Sequence, residues 1–101
     1  MTEPAPRTQR LVVAPADTGW TLKVDGADNP MVFASGRVAE KAGRDLALRL
    51  ASAGAEVQLD LRLQGGAIAA RFICFPPTEG EDAPLMFETP PVPHHADRTA
   101  A

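Results

Sequence analysis

Long apolar runs are missing from this 101-residue chain, as are a second cysteine, any histidine before position 94 and any surplus of positive charge. Each absence excludes something. No stretch approaches the roughly 18 consecutive apolar residues of a membrane-spanning helix. Met1 to Arg10 is polar and proline-bearing, where a secretory leader would be basic and then apolar. A cytoplasmic protein without membrane contact is expected. The single Cys74 cannot form an internal disulfide. It lies in the apolar run Phe72-Ile73-Cys74-Phe75, where a buried, reduced thiol is expected.

The same shortages bear on chemistry. Both histidines, His94 and His95, fall near the end of the sequence, far from the lone cysteine, and no glycine-rich phosphate loop or paired acidic motif accompanies them. No catalytic residue and no cofactor are therefore expected, and the chain reads as a non-enzyme. His94 and His95, with Asp97 nearby, have no cysteine partner and sit in a proline-rich stretch, so no metal site is expected there. Asp25, Asp28 and Asn29 lack the alternating ligands and closing glutamate of a calcium loop and read as a turn.

The formal charge of -3 is uneven. Residues 10–75 carry eight cationic side chains against seven acidic ones, whereas residues 76–101 carry Glu79, Glu81, Asp82, Glu88 and Asp97 against Arg98 alone. A near-neutral body with an acidic tail gives phosphate backbones little long-range attraction. Arginine outnumbers lysine eight to two, which points to a GC-rich bacterial genome.

What is present is a pattern of short strands around one helix. Leu11 to Val13 is an apolar, β-branched run before Pro15. In Trp20 to Val24, Trp20, Leu22 and Val24 alternate with polar residues, so the two segments predict an antiparallel hairpin. Met31 to Phe33 is long enough for a short edge strand at most. From Gly36 to Ala53, Ala39, Ala42, Leu46, Leu50 and Ala53 recur at spacings of three and four, predicting one helix with Ser35 as its N-cap and Gly54 as its left-handed terminator. Gly43 inside that helix suggests a close approach to a strand. Val57, Leu59, Leu61 and Leu63 then alternate with polar residues, and Gln64-Gly65-Gly66 turns the chain into Ala67 to Phe75. This return strand is apolar on both faces, with Ala69, Ile73 and Phe75 on one of them and Arg71 as its only charge.

The expected architecture is α+β, with order strand, strand, short strand, helix, strand, strand: a small, mostly antiparallel sheet with one helix on one face. Residues 1–9 read as a disordered lead-in, residues 10–75 as the single domain and residues 76–101 as a proline-rich acidic tail containing the apolar island Leu85-Met86-Phe87. The pattern Trp20-Thr21-Leu22-Lys23-Val24-Asp25-Gly26-Ala27, followed by the alanine-rich helix and then Gly54-Ala55-Glu56-Val57 leading to a glycine turn, resembles bacterial domain-of-unknown-function family 2188. The likeness runs from Trp20 to Gly66, about half of the chain. The later strands are longer and more apolar than that family's ending. The resemblance implies a strand-strand-helix-strand domain and no assigned chemistry.

A strand apolar on both faces needs two covering layers, and one helix offers one. The functional expectation follows: an interaction module that self-associates, as a homodimer, or binds another protein through Ala69, Ile73 and Phe75, with Leu85, Met86 and Phe87 as a fold-back cover or docking motif. The alternative is a nucleic-acid-binding regulator using Arg37, Lys41, Arg44 and Arg49 on the helix's outer side; Trp20, Lys23 and Arg71 would form a second patch if they shared an exposed face. Ser35, Gly36 and Arg37 at the helix start are a candidate anion site, since free backbone amides gather there.

Overall fold

The computed structural model describes residues 8–89. Residues 1–7 and 90–101, including His94, His95 and Asp97, lie outside the described residues. In chain order the elements are β1 (Thr8–Ala16), β2 (Gly19–Val24), β3 (Met31–Phe33), α1 (Gly36–Ser52), β4 (Glu56–Arg62), β5 (Ile68–Phe75) and β6 (Leu85–Thr89). They form one six-stranded sheet in the order β3-β2-β1-β4-β5-β6, with α1 packed on one face.

Two hairpins make most of this sheet. β1 and β2 pair antiparallel from Leu11↔Val24 to Ala16↔Gly19, and β4 and β5 pair antiparallel from Val57↔Cys74 around the glycine turn. The central seam is the parallel pairing of β1 with β4, from Thr8↔Glu56 to Val13↔Leu61. That seam explains why β1 starts at Thr8, ahead of its apolar run: polar Thr8 and Gln9 find ladder partners on β4. It also explains how Pro15 fits inside a strand. The β4 pairing ends at Val13, so at Pro15 the strand has a neighbour on one side only, where a residue without an N–H is tolerated.

The α+β class, the single helix among the described residues and both hairpins agree with the sequence reading; the strand count and order do not, and Met31–Phe33, left open in the sequence, is an edge strand. Leu85–Thr89 is a sixth strand, antiparallel to β5 from Phe75↔Leu85 to Arg71↔Thr89. An island too short to fold alone takes its backbone partners from a strand already in place, and period two sets Met86 toward the core opposite Cys74 while Leu85 and Phe87 face the other way.

The helix begins at Ser35, whose hydroxyl accepts from the Val38 N–H at 3.2 Å. It ends in a Schellman closure: Gly54, at φ +108°, donates to the Ala51 carbonyl, and Ala55 donates to that of Leu50. Its buried line is Ala39, Gly43, Ala47 and Ala51, flanked by half-buried Ala42, Leu46 and Leu50, while Ala53 is exposed. The expected stripe is thus rotated toward the smallest side chains, because small residues on the contact line let the helix axis sit close to the sheet.

At Gly43 the closeness is measurable. A Cβ there would lie 3.1 Å from Leu59 Cδ1, 3.3 Å from Val13 Cγ2 and 3.5 Å from Leu22 Cδ1, all buried side chains of three different strands. Cys74 is fully buried in the same core, and burial pushes its thiol above the usual range. Among the described residues no helix is long and apolar enough to cross a membrane.

Replacing Gly43 with leucine is expected to overpack this contact and lower unfolding free energy by about 1–3 kcal/mol despite the gain in helix propensity. Urea unfolding followed by circular dichroism checks this; a variant as stable as the parent would show that the helix does not rest on Leu59 and Val13.

Candidate functional site

The register fixes what the uncovered face displays. β-strand side chains alternate, and Leu11, Val13, Leu22, Val57, Leu59, Phe72 and Cys74 go to the helix side, so Arg10 and Val12 (β1), Lys23 (β2), Gln58, Asp60 and Arg62 (β4), Arg71, Ile73 and Phe75 (β5) and Leu85 and Phe87 (β6) go to the other.

At the centre of this face lies Asp60, only 1% exposed. Arg71, its partner across the β4–β5 hairpin, donates from Nε to Oδ1 at 2.7 Å and from an Nη to Oδ2 at 3.1 Å, a two-pronged charged contact. Gln58 Nε2 lies 3.4 Å from both carboxylate oxygens, and an Nη of Arg10 is 3.9 Å from Oδ2. The hydrogen bond to Asp60 raises the Arg71 guanidinium above its ordinary value, so Arg71 stays charged. Asp60 reads in the sequence as one polar residue of a wet face, but it is roofed by its own partners. The available signal was positional: the only charge in β5 stands directly across the turn from Asp60.

On the β5–β6 side of this pair the face is apolar. Ile73 is half-buried, whereas Phe75, Leu85 and Phe87 are 41%, 47% and 51% exposed. Cross-strand pairing sets Ile73 opposite Phe87 and Phe75 opposite Leu85, and the two phenyl rings meet edge to face with centroids 6.1 Å apart. Two of the residues expected there are elsewhere. Ala69 sits at the β-bulge between the Leu61↔Ala70 and Arg62↔Ile68 pairs and lines a cleft with Val13, Trp20 and Gly36. Met86 turns into the core.

On the β1–β2 side the face is cationic. Val12 is a half-buried floor paired with Lys23 on β2 and Asp60 on β4. Arg10, Lys23 and Arg62 line an open cleft of about 290 Å³ around it, with Asp25 at the edge. Arg62 Nε is buried and has no hydrogen-bond acceptor among the described residues. Sequence reasoning missed this cluster, because the β1–β2 hairpin brings only Arg10 and Lys23 together and Arg62 joins them through the parallel β1–β4 seam.

The remaining candidates are dispersed. Trp20 lies on the helix side, its ring so close to Gly36 that a Cβ there would come within 2.9 Å of it, so it does not share a face with Lys23 and Arg71. Of the helix cations, Lys41 pairs with Asp45 at 3.1 Å and Arg44 with Glu40 at 2.9 Å, while the Arg44 guanidinium also lies 4.5 Å from the centre of the Phe72 ring. At the helix start, Ser35 is occupied as the cap, Gly36 lies against Trp20 and Arg37 is exposed. Among the described residues no three histidine, cysteine, aspartate or glutamate side chains gather as metal ligands do. The chain matches no protein-family model, no curated protein and no solved structure.

The Arg71→Ala variant is expected to lose about 1–3 kcal/mol of stability by stranding the buried Asp60 carboxylate, and Asp60→Ala about 0.5–1.5 kcal/mol by removing the hydrogen bonds of a partly exposed Arg71. Because each loss is the same lost contact, the double variant should fall short of the sum by about 0.5–3 kcal/mol. A double-mutant cycle by urea unfolding measures the coupling, and additive losses would mean that the two groups do not depend on each other.

Proposed function

We propose that this protein is a non-enzymatic interaction module that associates with a second copy of itself through the apolar half of its uncovered sheet face, Ile73, Phe75, Leu85 and Phe87. One observation carries the reading: two phenylalanines and a leucine, each about half exposed, stand together on a regular sheet surface that no other element among the described residues covers. Single exposed apolar side chains need no explanation, but a contiguous aromatic patch marks a contact surface. Phenylalanine rings bury a large apolar area and weigh heavily in the energetics of an interface.

The two-sided character of the face constrains how two copies meet. A twofold contact sets a patch against itself. An axis through the middle of the sheet would lay Arg10, Lys23 and Arg62 of one protomer over the phenylalanines of the other and strip water from unpaired cations. An axis near Ile73 and Phe87 brings apolar onto apolar and leaves the cationic cleft open, which favours a contact centred on β5 and β6. The alternative, nucleic-acid binding by Arg37, Lys41, Arg44 and Arg49, is less well supported because Glu40 and Asp45 pair with two of these four cations.

Sedimentation velocity over a wide concentration range tests the proposal. A monomer–dimer equilibrium is expected, with Phe87→Lys weakening it by at least about 2 kcal/mol and Val32→Lys, at the far edge of the sheet, leaving it unchanged. A monomer at every concentration, or a dimer indifferent to Phe87→Lys, would overturn it.

A further inference from the structure

The cationic cleft is left unused by self-association, and its geometry asks for a ligand of its own. Its three cations are not accounted for by internal partners. Asp60, the acid beneath them, is engaged by both prongs of Arg71, and Arg10 reaches it only at 3.9 Å. Among the described residues, Lys23 and Arg62 have no carboxylate within ion-pair distance. Arg62 also carries a buried Nε without an acceptor among the described residues. The site is concave, and its floor, Val12, is set in the middle of the rigid sheet rather than on a loop.

Charge and donor geometry select the ligand. Three cations and the one acid at the rim, Asp25, leave an excess of two positive charges around the cleft. A dianion neutralises that excess and a monocarboxylate does not. Two guanidiniums offer planar forks of N–H donors and the lysine a compact third donor, a combination suited to the several oxygens of a phosphate group. We propose that the cleft lined by Arg10, Lys23 and Arg62 binds a phosphate dianion, either free or as the terminal group of a small monoester.

The test is an amide-resolved NMR titration of the full chain with inorganic phosphate, glycerol phosphate and acetate, each compared with chloride at equal ionic strength. Saturable shifts are expected at Arg10, Val12, Lys23, Asp25 and Arg62. Lys23→Gln and Arg62→Gln should each weaken binding about tenfold or more, with the amide spectrum confirming that both variants remain folded, while Lys41→Gln on the helix should not. Tighter binding of glycerol phosphate identifies the monoester as the ligand, and equal binding identifies the free ion. The proposal is overturned if phosphate acts no differently from chloride, if acetate binds as well as phosphate, if shifts centre on Ser35 to Val38 instead, or if Lys23→Gln and Arg62→Gln bind as the parent does.

Discussion

A single helix about 10 Å across has to cover a sheet whose six strands, spaced about 4.8 Å, span about 24 Å from edge to edge. Everything else in this molecule answers to that mismatch. On the covered side the helix gains the most from each contact by sitting close, hence the line Ala39, Gly43, Ala47 and Ala51 over Val13, Leu22 and Leu59. On the uncovered side the described residues supply no second layer, so the central strands must keep their outer side chains stable against water. At the middle of the face the solution is ionic: Asp60 is sealed by Arg71 and Gln58, and the roof is made of guanidinium and amide rather than hydrocarbon.

That central pair divides the uncovered face in two. Toward β6 lie Ile73, Phe75, Leu85 and Phe87, hydrocarbon with nothing above it among the described residues; toward β2 lie Arg10, Lys23 and Arg62, charge with little opposing it. The two halves call for different company. An apolar patch is stabilised by meeting another like it, whereas a cluster of cations repels its own copy and is stabilised by an anion. Both demands can be met at once only if the protein contact is confined to one side of the Asp60–Arg71 pair. The pair thus acts as a boundary as well as a structural contact.

Much of the fold is legible in the residues, since helix and hairpins follow from local rules. The spacing of Ala39 to Leu50, the cap at Ser35, the left-handed Gly54 and the glycines at 65 and 66 each act within a few positions of themselves. The parallel seam between β1 and β4 was not legible, because no local pattern reports which hairpin edge will meet which. The sixth strand was missed for a related reason: Leu85 to Thr89 lies in proline-rich, acidic surroundings and becomes a strand only because β5 offers it a ladder. The apolar half of the site was partly readable, from a strand greasy on both faces. Its membership needed the bulge at Ala69, which breaks period two, and a ladder for Leu85 to Thr89, without which period two has nothing to act on. The cationic half was completed by the unseen seam, which brings Arg62 to the Arg10 and Lys23 of the β1–β2 hairpin.

The central claim is that the surface around Ile73 and Leu85 is bare in one protomer and covered when two meet. Methyl relaxation by a soluble paramagnetic probe, recorded on the same protein dilute and concentrated, reads this directly. The account predicts that the Ile73 and Leu85 methyl signals are strongly relaxed in dilute solution and become shielded on concentration, while those of Val12 and Val32 respond alike in both. Equal relaxation of Ile73 and Leu85 at the two concentrations, or shielding that develops on the outer side of the helix instead, would contradict it.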